Sequence, residues 1–371
     1  MTMIRVISNG FGEDLIACKI IDAFDSNSVT FEAFPLVGQG NEYKKRQIQL
    51  KLQQSVLPSG GFLLKIKDIF RDLRHGLLSQ FIYQRRAILD HQADCQLVVG
   101  DIYALYMASK SSAPIIFLPT AKTERAIPHW GIEFSFIRKH CSMVFPRDTE
   151  THQKMLEKGI TSYFFGNPMF DGMNSKCTKP DLFTIGLLPG SRDEGLLNLA
   201  LILKVLSQLK LAKSCAFKVA LPPHFTDDQL LSLTHDLPWT FMNDGQERCF
   251  IYNSLKVIVS NQFYDVLQES SLIIGLAGTA NEQAMVAKRP VVSFIGCGPQ
   301  SSRKRFKQQA LLIEGAHHIF IDSNNPLKIA KKMSDIINSQ SFDWYPLSDF
   351  LQDASRDIKE CIISKLKLNS H

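Results

Sequence analysis

No CxxC pair occurs in this chain of 371 residues. Its eight cysteines (Cys18, Cys95, Cys141, Cys177, Cys215, Cys249, Cys297 and Cys361) are scattered. That spacing argues against a structural zinc site and reads as reduced, mostly buried thiols of a cytosolic protein. No apolar run reaches the roughly 20 residues that a spanning helix needs. The first residues lead straight into a strand-like run, Met3–Ile7, with no n-region, apolar h-region or cleavage site of a secretory signal. GxxxxGK[ST] is missing, which disfavours a P-loop kinase or ATPase, and His75, His317 and His318 lack HExxH-type spacing, so no metal is expected. A strong charge bias is missing too. With 42 Lys and Arg against 36 Asp and Glu, the net charge is +6. This suits an anionic ligand or membrane surface and does not indicate a dedicated nucleic-acid binder.

The composition, 45% hydrophobic and 21% charged, supplies enough apolar residues for two cores. Strand-like runs at 3–7, 29–34, 96–100, 114–118, 142–145 and 162–165 alternate with helical patterns. A second series lies at 183–188, 216–221, 256–259, 272–275, 290–294 and 318–321. Helical periodicity marks 14–24, 62–91, 149–158, 198–211, 263–269, 282–287 and 326–339. This βα alternation predicts parallel sheets covered by helices on both faces. The Gly-, Pro- and Asn-rich stretch 166–180 reads as a linker. It divides a unit at 1–165 from one at 181–345, and 346–371 reads as an amphipathic helix returning to the first unit. Two doubly wound units facing a cleft would bind ligands at their strand C-termini.

Two turns in the second half suit phosphate. Ile273-Ile-Gly-Leu-Ala-Gly-Thr-Ala-Asn-Glu-Gln283 reads as strand, small-residue turn and helix start, where free amides and the helix dipole meet an anion. Gly278, Thr279 and Ala280 would take the phosphate, and Glu282 or Gln283 a ribose hydroxyl. The earlier turn, Pro189-Gly190-Ser191-Arg192, adds amides, a hydroxyl and a guanidinium suited to bidentate phosphate contact. Gln300, after the next strand, is a further candidate. Simple N-capped helices and an exposed turn arginine are the competing structural readings.

The first βα turn is Ser8-Asn9-Gly10-Phe11-Gly12-Glu13-Asp14. Gly10 and Gly12 give GxG, but Leu15 stands where a dinucleotide fingerprint has its third glycine, and Glu32 lies where a ribose-binding acid would sit. The dehydrogenase reading is therefore incomplete. The other reading is a substrate floor on the acceptor side formed by Asn9, Gly10, Gly12, Glu13 and Asp14. Asp101 ends a buried run and reads either as a general base for an acceptor hydroxyl or as the N-cap of the next helix. Thr120, Lys122 and Glu124 follow the next strand. The pattern at 62–91 is a basic amphipathic helix, suited to an anionic interface or to a core with a solvated face. Arg303-Lys304-Arg305 reads as a solvated turn.

Together these segments resemble the lipid-A-disaccharide synthase-related proteins, kin of lipid-A-disaccharide synthase. The resemblance rests on Ser8–Ala17, Pro35–Gly40, Leu57–Phe62, Val99–Asp101, Thr120–Lys122, Val144–Asp148, Gly166–Pro168, Leu188–Arg192, Gly278–Gln283 and Gly298–Gln300. It implies a GT-B fold, a UDP-N-acetylglucosamine-type donor on the second unit, inversion at the anomeric carbon and no metal or other cofactor. It also implies a lipid-linked or hydrophobic acceptor and a place at the inner membrane surface. The synthase's cleft aspartate falls on Asp101, and its diphosphate and uridine contacts fall on Gly190, Ser191, Arg192, Gly278, Thr279 and Ala280. The first turn departs from the synthase's Gly-Glu-x-Ser-Gly-Asp, and Gln283 stands where the synthase has Glu. A UDP-sugar 2-epimerase and a nucleotide-binding scaffold without chemistry are the alternatives.

Overall fold

The computed structural model describes residues 2–24, 29–52, 77–172, 180–192, 194–298, 302–313, 317–343 and 353–366. They fall into two units, one of Met1–Asp171 with Gln352–His371 and one of Gly172–Leu351. Unit 1 runs β1 (Thr2–Ser8), α1 (Phe11–Asp22), β2 (Val29–Pro35), α2 (Asn41–Lys45), β3 (Gln49–Leu50) and α3 (Leu77–Asp90). It continues through β4 (Cys95–Gly100), α4 (Ile102–Ala108), β5 (Ile115–Pro119), α5 (Gly131–His140), β6 (Cys141–Val144) and α6 (Thr149–Glu157). The strand order is β3-β2-β1-β4-β5-β6, and each pairing is parallel. β4 is buried along its whole length, as the unbroken apolar run of a strand covered on both faces requires. Ile7, Val98 and Phe117 from the sheet pack with Leu105 and Ile137 from the helices. The order reverses between β1 and β4, so the loops leaving these two strands diverge and open a crevice at their carboxyl ends.

Unit 2 runs β7 (Phe183–Leu188), α7 (Glu194–Leu206), β8 (Cys215–Ala220), α8 (Asp227–Leu233), β9 (Thr240–Asn243), β10 (Arg248–Tyr252) and β11 (Leu255–Ser260). Then come α9 (Phe263–Glu269), β12 (Leu272–Gly275), α10 (Thr279–Val286), β13 (Val291–Phe294), α11 (Arg303–Leu311), β14 (His318–Ile321) and α12 (Pro326–Ser339). The order is β14-β13-β12-β7-β8-β11-β10-β9. Its reversal lies between β7 and β12, which pair in parallel with Leu188 opposite Gly275. Ile185, Leu187 and Phe294 pack with Leu199 and Leu203 of α7 and Met333 of α12.

The last helix, α13 (Ala354–Leu366), belongs to unit 1 and packs on α1, the return that the sequence predicts. Its first turn is capped from a distance. The Asp171 carboxylate accepts from the amides of Ala354 at 3.0 Å and Ser355 at 2.7 Å. Lys19 of α1 donates to the carbonyls of Met169 and Asp171 beside it, at 3.1 and 2.6 Å.

Two strand expectations need correction. Residues 162–165 form no strand: Ser162 makes only an isolated bridge to Val144, and Gly166-Asn-Pro168 follows at once, where proline supplies no ladder donor. The second sheet is not all parallel. β9 and β10 pair antiparallel, as do β10 and β11. Asn253, at φ 51°, closes a two-residue hairpin between Tyr252 and Leu255. The strands are short and carry polar residues on an exposed face, so their apolar signal is weak. Of the basic amphipathic pattern at 62–91, residues 77–90 are helical, and 62–76 lie outside the described residues.

Candidate functional site

At the reversal of unit 2 the two phosphate-type turns begin side by side. Leu276 N donates to Leu188 O at 2.9 Å, tying the end of β12 to the end of β7. Past β7 come Gly190, half-buried, and Ser191 and Arg192, both exposed. Past β12, Gly278 starts α10 without a side-chain cap. Among the described residues the amides of Thr279 and Ala280 have no acceptor. Helix starts leave such amides free, and the dipole adds positive potential there. Glu282 is half-buried in the first turn, whereas Gln283 is buried, its amide 3.5 Å from the Tyr264 hydroxyl. Of the two ribose candidates, Glu282 is thus the more accessible. Gln300 lies outside the described residues.

Both turns are held from beneath by groups the sequence reading did not single out. Asn198 of α7 is 1% exposed. Its Nδ2 donates to Pro189 O at 3.0 Å and Cys297 O at 3.3 Å, and its Oδ1 accepts from Cys297 N at 2.7 Å. One amide therefore locks the turn after β7 to the loop after β13. Asn281 does the same for the other turn: its Nδ2 donates to Gly275 O at 3.1 Å. Gln309 Nε2 donates to Gly278 O at 2.6 Å. A Cβ on Gly275 would come within 2.0 Å of Asn281 Oδ1, so only glycine fits there. Asparagines spaced from a strand end by a glycine turn are the signal that could have marked both. Asn198→Ala leaves a buried amide and carbonyls unpaired and is expected to cost about 1–3 kcal/mol. A urea midpoint equal to that of the parent would contradict this.

Unit 1 gathers a different set at its own reversal. Asn9 follows β1, and a Cβ on Gly100 at the end of β4 would come within 2.9 Å of Asn9 Cβ. Gly10 and Gly12 open α1. Gly10 sits at φ 155°, and a Cβ there would meet Glu13 Oε2 at 2.6 Å, so the Glu13 carboxyl folds over bare backbone. Thr120 Oγ1 donates to Glu13 Oε1 at 2.9 Å, and Arg147 donates to Thr120 O at 3.0 Å. Burial pushes the Glu13 carboxyl up, opposed by backbone and Thr120 hydrogen bonds and reinforced by the charge of Asp101. Asp101 caps α4, its Oδ1 accepting from Tyr103 N at 3.0 Å and Ala104 N at 3.1 Å. The capping reading is therefore present in the structure. The other carboxylate oxygen has no partner among the described residues, and the side chain is half-buried.

Two of the residues read as acceptor-side are committed elsewhere. Asp14 is 1% exposed. It accepts from Ser8 Oγ at 2.6 Å, and Ser8 accepts from Tyr43 Oη at 2.8 Å. The Lys122 ammonium pairs with Glu133 at 2.7 Å and lies 4.1 Å above the Trp130 ring. Trp130 and Ile132 beside it are 69% and 75% exposed. Glu124 accepts from His129 N at 2.8 Å.

No protein-family model matches the chain, and no curated protein matches it. Solved structures are similar in fold. MnaA of S. aureus, solved with UDP, has a TM-score of 0.59 at 14% identity, covering 100% of this chain and 98% of that one. The glycotransferase of kitacinnamycin has 0.54 at 13% identity, with 98% and 99% covered. The UDP-GlcNAc 2-epimerase of Neisseria meningitidis, bound to UDP-GlcNAc, has 0.51 at 13% identity, with 99% and 100% covered. Identities this low speak to fold: the chain has the GT-B fold expected from its sequence, built on two parallel-rich sheets. Among the described residues no helix is long and apolar enough to cross a membrane.

Proposed function

We propose that the chain is a glycosyltransferase that moves a sugar, of the N-acetylglucosamine type, from UDP to a lipid-linked or hydrophobic acceptor. The observation that carries this reading is the pair of turns leaving the tied ends of β7 and β12, one followed by Ser191 and Arg192 and the other by the free amides of Thr279 and Ala280. A diphosphate placed there gains amide hydrogen bonds, the dipole of α10 and a guanidinium. Glu282 takes the ribose. Fold neighbours solved with UDP or UDP-GlcNAc add support.

In unit 1, Asp101 takes the proton of the acceptor hydroxyl through its unpartnered oxygen while the other keeps the cap. The acceptor oxygen bonds to the anomeric carbon from the face opposite the UDP oxygen, whose bond to that carbon breaks. Configuration inverts, and Arg192 with the α10 amides stabilises the charge left on the diphosphate. No resident metal or other cofactor is invoked. Exposed Trp130 and Ile132 offer apolar contact to the acceptor, and binding at the cytoplasmic face of the membrane follows from a lipid-linked acceptor. Failure to co-sediment with anionic liposomes would count against that membrane contact.

Calorimetric titration tests the donor site. Saturable binding of UDP, with none of NAD, is expected. Arg192→Ala should weaken UDP by about tenfold, the loss of about 1.4 kcal/mol of charge-assisted contact. NAD binding in place of UDP, or equal UDP affinity in the two proteins, would remove the assignment. The epimerase reading predicts something else: conversion or release of UDP from a UDP-sugar with no acceptor added.

A further inference from the structure

The first turn of α11 runs against helix electrostatics. Its opening residues are Arg303, Lys304 and Arg305, with Lys307 two places on, and no acid lies in that turn. Cations at a helix start oppose the dipole, where an anion is favoured. Local rules broken without an evident gain tend to mark functional places. Beside this helix lies a cavity of about 420 Å³, lined by Arg303, Phe306, Lys307, His318, Phe320 and Lys332 among others. Its single acid, Asp322, reaches Arg303 at 3.7 Å, with both side chains largely exposed. Among the described residues Lys307 and Lys332 have no carboxylate partner. Phe306 and Phe320 pack at 5.1 Å between centroids and form an apolar wall.

A half-buried lining group, His318, carries a second sign. Its Nε2 lies 2.9 Å from Ser293 Oγ. The single Ser293 proton goes to Gly275 O at 2.6 Å, so the hydroxyl has only a lone pair to offer the ring. The hydroxyl therefore accepts from the ring, which places an N–H on Nε2. Burial pulls the His318 ring below its ordinary 6.5, with the Phe306 backbone opposing that shift. Arg303, Lys307 and Lys332 oppose a positive charge on this ring and Asp322 alone favours one, so an anion bound in the groove would move its protonation to higher pH.

We propose that this groove is an anion site that takes a phosphate group, shared by Arg303, Lys307 and Lys332, with the His318 ring behind it. The ligand is a phosphate monoester or diester, either free in solution or as a lipid headgroup. Ser293 links the His318 ring to Gly275 O, so the ring is fixed to the sheet and not to the mobile tips of the lysines.

The test is NMR of the His318 ring, assigned with His318→Gln, during titration with inorganic phosphate, with phosphatidylglycerol vesicles and with phosphatidylcholine vesicles. A saturable shift of this resonance, with protonation moved to higher pH, is expected with phosphate, with phosphatidylglycerol, or with both; which of them acts identifies the source. The exposed double variant Lys307→Gln/Lys332→Gln should raise the half-saturation concentration at least about tenfold. It should leave calorimetric UDP affinity unchanged, which keeps this site separate from the proposed donor turn. An unmoved His318 ring with all three titrants, an unchanged midpoint in the double variant, or loss of UDP binding with it would overturn the proposal.

Discussion

Asp101→Asn is expected to leave the fold intact and to lower turnover by about 10²–10⁴-fold, the usual contribution of a positioned general base. The two roles of this residue are separable because they use different oxygens. Oδ1 accepts from the amides of Tyr103 and Ala104. Asparagine keeps an oxygen at that point and caps a helix about as well as aspartate. A drop in rate in the Asn variant therefore reports the lost proton acceptor and not a frayed α4. Asp101→Ala is the control, losing both functions and about 1 kcal/mol of stability. The assay is UDP release from UDP-N-acetylglucosamine with candidate lipid-linked acceptors, beside UDP affinity by calorimetry. Full turnover in Asp101→Asn would reduce Asp101 to a cap and pass the base to Glu13. That carboxyl is raised by burial and hydrogen-bonded to Thr120 at the same crevice. Glu13→Gln then becomes the inactive variant.

The second large effect concerns stability against pH. Burial pushes the Asp14 carboxyl from its ordinary 3.8 up to about 7, with the Ser8 hydrogen bond opposing and the charges of Glu13 and Glu42 adding. A raised carboxyl is protonated longer in the folded chain than in the unfolded one. Its contribution is fully present below pH 3.8 and is lost as pH climbs to about 7. A shift of this size corresponds to roughly 4 kcal/mol. Asp14→Asn cannot ionise. Its oxygen still accepts from Ser8, so the buried chain from Tyr43 through Ser8 survives. Urea unfolding from pH 4 to pH 8 should show the parent losing several kcal/mol relative to the variant, which becomes the more stable protein at the alkaline end. Parallel curves would mean that Asp14 ionises without cost.

The alternation of apolar runs and helical patterns carries the fold because strands of a parallel sheet are buried on both faces. Their runs, such as Cys95–Gly100, stand out against any background. The same reasoning fails at Thr240–Asn243 and Arg248–Tyr252, where a half-exposed hairpin dilutes the signal with polar residues. Glycine turns point to the crevices, since strand, small residues and helix in succession place amides at one end of the sheet. What holds those turns is much harder to read. Asn198 looks like any helix residue until the fold brings Cys297, ninety-nine positions later, against it. Arg289 is similar. Nothing in its neighbourhood announces that the guanidinium will be fully buried, donating to Leu267 O at 3.1 Å and Gln268 O at 3.3 Å at the end of α9. Side-chain to backbone bonds across long separations depend on three-dimensional closure, and a local pattern has no access to that.

The cap that Asp171 places on α13 has a consequence for how the molecule is made. Unit 1 breaks off at Asp171 and resumes at Gln352, with all of unit 2 between. A nascent chain emerging from the ribosome can complete the second unit while the first still lacks its closing helix. Until Ala354 and Ser355 arrive, the Asp171 carboxylate has lost both amide donors and α1 has lost the helix that packs on it. Vectorial synthesis thus finishes the inserted unit before the unit that hosts it. A stop codon near position 350 would leave unit 2 whole and withdraw the seal from unit 1, so damage from late truncation is expected to surface first in the N-terminal half, far away in sequence from the lesion.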